Sequence, residues 1–141
     1  MKVKELDSII ETVDKYGTGI TTGDIELMRS VFHPKAMMYG RSGDDVTIVE
    51  IEGLFGYVAS QTPPVVSGEQ HRCIIKSIDV FGNCASAEVL QENCYGVNYI
   101  NYFQLLKVGE QWMIVSKVYD VIAEDKIEDA SKSATKELKL S

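Results

Sequence analysis

Asp120, Tyr16 and His71 are the residues of this chain whose types could move protons around a small molecule. A carboxylate enclosed by apolar side chains has its pKa raised and can act as a general base. A phenol, from Tyr16 or Tyr99, can donate to a developing oxyanion. An imidazole changes charge near neutrality and can shuttle the proton. Gln91, Asn93 and Asn101 can orient a ligand but cannot exchange protons near neutral pH. Tyr39, Tyr99, Phe103 and Trp112 add the flat apolar surface that lines small-ligand pockets. The same residues also fit ordinary structural duties: Tyr99 facing Asp120 is a common cross-strand hydrogen bond, and a histidine at a strand start commonly bonds a carbonyl. His33, before Pro34, reads as helix punctuation.

Other chemistries lack their residues. No GxSxG surrounds any serine, and the glycines form no phosphate-binding loop. Cys73, Cys84 and Cys94 have no metal-ligand spacing, and two distant histidines without a neighbouring acid pair give no metal site. Neither a metal nor a cofactor is expected. Met28, Met37, Met38 and Met113 read as core filler.

The elements that must position these residues follow from periodicity. Val3, Leu6, Ile9, Ile10, Val13, Tyr16 and Ile20 recur at helical spacing with charged residues between them. Gly17 and Gly19 each cost roughly 1 kcal/mol in a helix interior, which close approach to another backbone or fraying of the last turn would account for. Gly23 reads as a stop and Asp24 as the N-cap of a second helix carrying Ile25, Leu27, Met28, Val31 and Phe32, ended by Pro34. Ala36–Tyr39 and Val46–Ile51 flank RSGDD as a hairpin, and Glu52–Ser60 reads as a third helix before a loop that runs to Gly68. From His71 the period becomes two. Arg72–Phe81, Cys84–Tyr95, Tyr99–Val108 and Trp112–Ile122 read as long strands joined by turns at Gly82-Asn83, Gly96-Val97 and Gly109-Glu110. Such a meander must bury one face, and the N-terminal helices are its available partners.

Turn geometry then assigns faces. The first turn pairs Val80 with Ala85, Ile78 with Ala87 and Ile74 with Gln91; the third pairs Leu105 with Ile114, Phe103 with Ser116 and Tyr99 with Asp120. A one-residue bulge at Gly96 is needed to bring the two apolar faces to the same side. The inner face is then apolar at a closed end, through Phe103, Leu105, Trp112 and Ile114. It is polar at a mouth, where Gln91, Asn93, Tyr99, Asn101 and Asp120 gather. Glu92, Lys117 and Tyr119 fall outside. Apolar and aromatic side chains on that outer side, with Tyr102, Met113, Val115 and Val121 among them, invite a second copy of the chain.

GDIELMRSVFHPKAMMYG, HRCIIKSIDVFGNCASAEV and NYFQLLKVGEQWMIVSKVY, in this order of elements, resemble the nuclear transport factor two-like superfamily, also called the cystatin-like cone. The likeness spans about residues 3 to 122 and is strongest to its putative lumazine-binding branch, near the SnoaL-like proteins and the ketosteroid isomerases. It implies an α+β fold in which a curved, mostly antiparallel sheet of about six strands wraps around three N-terminal helices to enclose a cavity. It also implies a pocket histidine at His71 and, for an isomerase, a tyrosine with two pocket acids, of which only Asp120 can be placed inside. The domain is read as residues 1–122, and 123–141 as a charged tail or exposed helix.

The 141 residues carry a formal charge of -7, which disfavours nucleic acid and anionic membrane as partners. The dispersed charges of MKVKELDSIIETVDK are unlike a signal peptide, and an odd number of cysteines suits a reducing, cytosolic setting. Three readings stay open at this point. One is a homodimeric cone that binds a small apolar or heteroaromatic molecule; another is an isomerase, cyclase or dehydratase using Asp120 and a tyrosine. The last is an interaction module whose own side chains fill the cavity.

Overall fold

The computed structural model describes residues 3–126 and 136–138. Helix α1 (Val3–Thr22) buries Ile9, Val13, Tyr16 and Ile20 along one stripe, as its apolar spacing predicts. It stops at Gly23, whose φ of +72° only glycine adopts without strain. Asp24 then caps α2 (Ile25–Val31) by accepting the Leu27 N–H at 3.1 Å. Gly19 lets the two helices meet, since a methyl group there would overlap the Met28 side chain. Close approach, rather than fraying, accounts for that glycine.

Strand β1 (Phe32–Ser42) follows α2 directly, so Phe32 opens a strand rather than closing the helix. Gly43 turns the chain into β2 (Asp45–Glu50), and α3 (Glu52–Ala59) comes next. A single helical turn, α4 (Pro64–Ser67), closed by Gly68 at φ +85°, occupies part of the segment read from sequence as loop. The meander is β3 (Arg72–Phe81), β4 (Cys84–Cys94), β5 (Val97–Val108) and β6 (Gln111–Ile122). Glu124–Lys126 is a 3₁₀ turn, and Lys136–Leu138 forms β7 against β3. The remaining tail residues, 127–135 and 139–141, lie outside the described residues.

The strands form one unclosed mixed sheet in the order β2-β1-β6-β5-β4-β3-β7. Only β1 and β6 run parallel. The sheet curves around α1, α2 and α3, and the core lies in its concavity. There Ile9, Val13 and Ile20 of α1 join Phe103, Leu105, Trp112 and Ile114 of the sheet. The fold is α+β, as expected.

Besides a register shift between Phe32 and Met37 where β1 meets β6, three bulges within the meander set which of its side chains enter that concavity. Between β4 and β5 the register shifts after Gln91↔Tyr99, with Glu92 and Asn93 opposite Asn98 alone. This is the expected bulge, placed a few residues before Gly96. It puts Ala87, Val89 and Gln91 on the same face as Phe103, Asn101 and Tyr99. The other two bulges change the registers read from the turns. Lys76 is extra between β3 and β4, so Cys73, not Ile74, pairs with Gln91. Val115 is extra between β5 and β6, so Phe103 pairs with Lys117 and Ile100 with Asp120. Every side chain after Val115 therefore points opposite to the strict two-residue register: Lys117 and Tyr119 turn inward, and Asp120 turns out.

Candidate functional site

The concavity holds a cavity of about 340 Å³, within the range of small-ligand sites. Its buried floor combines Tyr16 and Ile20 of α1, Met38 of β1, Leu54 of α3, Gln91 and Cys94 of β4 and Lys117 of β6. Its rim is more open, with Thr47 and Val49 of β2, Tyr57 of α3, and Tyr95, Tyr99 and Tyr119 of the meander. The rings stand edge to face in two pairs, Tyr57–Tyr95 at 5.8 Å and Tyr99–Tyr119 at 5.4 Å. Tyr95 is tied to α1 through its hydroxyl, which donates to the Ile20 carbonyl at 3.0 Å. Tyr119 packs against Gly40, where a Cβ would overlap its ring.

Lys117 is the charged residue of this lining and is only 4% exposed. Its Nζ lies 4.6 Å from the Tyr119 ring centroid and 5.9 Å from that of Tyr99. Among the described residues no hydrogen bond or ion pair engages it, and none of those that line the cavity is Asp or Glu. Burial pulls its pKa down to about 8, so roughly a tenth of the amine is neutral at pH 7. Burial likewise raises the phenols of Tyr16, Tyr57, Tyr95 and Tyr99, which therefore remain donors, and pushes the Cys94 thiol up to about 12.

Beneath the floor runs a polar chain. The Tyr16 hydroxyl donates to Gln91 Oε1 at 2.7 Å, and Asn101 Nδ2 donates to the same oxygen at 2.9 Å. Gln91 Nε2 reaches His71 Nε2 at 3.0 Å and Cys94 Sγ at 3.6 Å. Because that amide donates, His71 Nε2 is an acceptor and the ring proton sits on Nδ1, which meets Thr21 Oγ1 at 2.9 Å. Burial lowers the His71 pKa to about 4, consistent with a neutral ring.

The structure sorts the residues read from the sequence. Tyr16, Gln91 and Tyr99 line the cavity. Asn101, His71 and Phe103 stand behind its wall; Phe103 packs edge-on against Tyr16 at 5.0 Å. Gln91 is thus part of the buried floor and Asn101 lies beneath it, neither at the mouth. Asp120 is exposed on the outer face, its Oδ1 accepting from the Val121 N–H at 2.9 Å, because the Val115 bulge reverses its direction. Tyr39 also points outward, since Met38 and Gly40 take the inward positions of β1. Asn93 sits in the β4 bulge at φ +55°, its amide donating to Glu69 and accepting from the Gln70 N–H, both at 3.3 Å. Trp112 is buried at the closed end, where its Nε1 donates to Glu5 Oε2 at 2.6 Å. Lys117, Cys94, Tyr57, Tyr95 and Tyr119 were not anticipated. No local residue marks the bulge at Val115, and so no sequence signal turned Lys117 and Tyr119 inward.

Among the described residues no three His, Cys, Asp or Glu side chains gather as a metal site, and no helix is long and apolar enough to cross a membrane. The arrangement can sandwich a flat ring among tyrosines and offer one cation, or one amine, to it.

A family model described as Putative lumazine-binding matches residues 4–120. An NTF2-like protein from Shewanella baltica superposes with a TM-score of 0.80 at 30% identity, over 88% of this chain and 98% of that one. One from Methylobacillus flagellatus does so at 0.80 and 30%, over 87% and 96%. A ketosteroid isomerase-like protein from Erwinia carotovora atroseptica shares the fold, with a TM-score of 0.66 at 16% identity over 86% and 99%. No curated protein sequence matches the chain.

Proposed function

This chain belongs to the Putative lumazine-binding family, and from that membership and the cavity around Lys117 we propose that it binds a small, flat aromatic or heteroaromatic molecule carrying an electron-rich oxygen or an anionic group. The observation that supports this most is the buried Lys117, which has no carboxylate partner among the described residues and lies beside a tyrosine-lined void. A buried ammonium without a counter-charge is costly. A bound acceptor relieves that cost, and cation and rings together select a flat, electron-rich guest.

Lumazine itself is the first probe. Titration calorimetry should give saturable one-to-one binding, and Lys117→Met should weaken it at least tenfold. Absence of heat for lumazine and for simple aromatic acids, together with an unchanged melting temperature, would defeat the reading.

The alternatives fare less well. A base at Asp120 would have to act from the outer face, away from the cavity. An interaction module filled by its own side chains does not account for about 340 Å³ of space. We further propose a second copy of the chain as partner of the outer sheet face, where Tyr39, Val118 and Tyr102 stand side by side across β1, β6 and β5, each at least one-third exposed. With Cys84 exposed and free, a cytosolic setting is the natural one for this surface.

A further inference from the structure

The Lys117 amine, alone of its kind among the described residues of the lining, has the surroundings of a nucleophile. Buried lysines that serve stability are held by carboxylates or carbonyls, whereas Lys117 makes no hydrogen bond or ion pair among the described residues and faces the Tyr99 and Tyr119 rings, the Cys73 and Cys94 thiols and the void. Its inward direction depends on the Val115 bulge, a device that re-aims a side chain and disrupts a strand ladder. Ile20, Met38 and Leu54 make the adjoining floor apolar. Such a floor favours the neutral amine over the ammonium and favours loss of water from an adduct. Among the described residues the lining holds no Asp or Glu that would fix the ammonium.

We infer that Lys117 condenses with an aldehyde or ketone group on the bound aromatic molecule and holds it as an imine. This rests on the reading of the cavity as a small-molecule site and narrows its ligand class to carbonyl compounds. The Nζ lone pair forms the new C–N bond while the carbonyl π pair moves to oxygen. The nitrogen gives up a proton and the oxygen takes one, leaving a carbinolamine. The hydroxyl then takes a proton and leaves as water while the nitrogen lone pair forms C=N, and the resulting iminium returns its remaining N–H proton to the donor to give the imine. One water is released and nothing is oxidised or reduced. Tyr99, still protonated at neutral pH, is placed to donate toward the departing oxygen.

The test is reductive trapping of the full chain with benzaldehyde and cyanoborohydride, read by intact mass and peptide mapping. Calorimetry with lumazine is run on the same preparation. One benzyl group should appear per chain, on Lys117, at least tenfold faster than on any exposed lysine and with a rate that climbs as pH approaches 8. Lys117→Arg and Lys117→Met, checked for native circular dichroism, should lose that site and keep only slow surface labelling. Label scattered over exposed lysines, with Lys117 unmodified, overturns the inference. If lumazine binds in that case, the imine falls and the binding reading stands. If Lys117 is trapped but lumazine does not bind, the nucleophile stands and the guest is a carbonyl compound unlike lumazine.

Discussion

Gln91 has both oxygen lone pairs and both amide hydrogens engaged within the protein, by Tyr16, Asn101, His71 and Cys94. Its duty is to hold the floor of the cavity in one shape. Gln91→Leu would leave the Tyr16 hydroxyl and the His71 ring nitrogen unsatisfied, so chemical denaturation should show a loss of about 3 kcal/mol or more. Tyr16→Phe removes one bond and leaves Gln91 with Asn101, so the expected loss is about 1 kcal/mol. If Tyr16→Phe instead proves the costlier change, the amide is not the hub. Titration gives a separate readout. The folded His71 pKa, about 4, lies below the ordinary 6.5. Between those values the unfolded chain holds the extra proton, so stability is lost as pH falls from 6.5 toward 4, by up to about 3 kcal/mol. Lys117 is also depressed, from 10.5 to about 8. Its burial cost is therefore present below pH 8 and relieved as pH rises above it, so stability should increase from pH 8 to about 10, where tyrosine ionisation in the unfolded chain begins to oppose it. Guanidinium melts across pH 4 to 10 should show both slopes, and Lys117→Met should flatten only the upper one.

At the level of elements, the end of α1, the start of α2 and the end of β3 could be read from sequence because each carries its own punctuation: Gly23, Asp24 and the Gly82-Asn83 turn; the end of α2, read as Pro34, comes before Phe32. The inward face of β4 and β5 was also legible, because apolar Ala85, Ala87, Phe103 and Leu105 outvoted the nominal turn register and demanded a bulge. On β6 the pattern misled. Val118 is apolar and Lys117 charged, so strict alternation favours the register in which Lys117 faces water; no glycine at Val115 argues otherwise. The bulge that reverses it is supported by contacts from another strand, where Tyr119 settles over Gly40 of β1. Such long-range support leaves no local trace. It does leave a testable dependence. Gly40→Ala should displace the Tyr119 ring, destabilise the fold by about 1–3 kcal/mol as overpacked cores do, and weaken probe binding by a larger factor than Tyr57→Phe, which only trims the rim. Unchanged affinity in Gly40→Ala would mean that Tyr119 does not shape the site.

For the whole molecule, the cone followed from an imbalance visible in the sequence: four long strands need one face covered, and only the N-terminal helices could cover it. The curvature encloses a cavity on one side, and on the other side it leaves a sheet surface with no helix of its own among the described elements. Tyr39, Val118 and Tyr102 form a continuous row on that outer surface, with Leu106 on the same strand as Tyr102. A self-complementary pairing of two such rows about a two-fold axis would bury aromatic and aliphatic surface without burying the cavity mouth. The chain's -7 charge opposes this association, so the dimer should tighten as salt screens the repulsion. Val118 lies at the centre of the row and is 40% exposed in the single chain. Val118→Lys should therefore leave the monomer's stability within about 0.5 kcal/mol, as exposed substitutions do, while weakening dimerisation at least tenfold in sedimentation equilibrium. A wild-type chain that stays monomeric at high salt would show that this face has another partner, and a Val118→Lys dimer of undiminished strength would place the interface elsewhere on the cone.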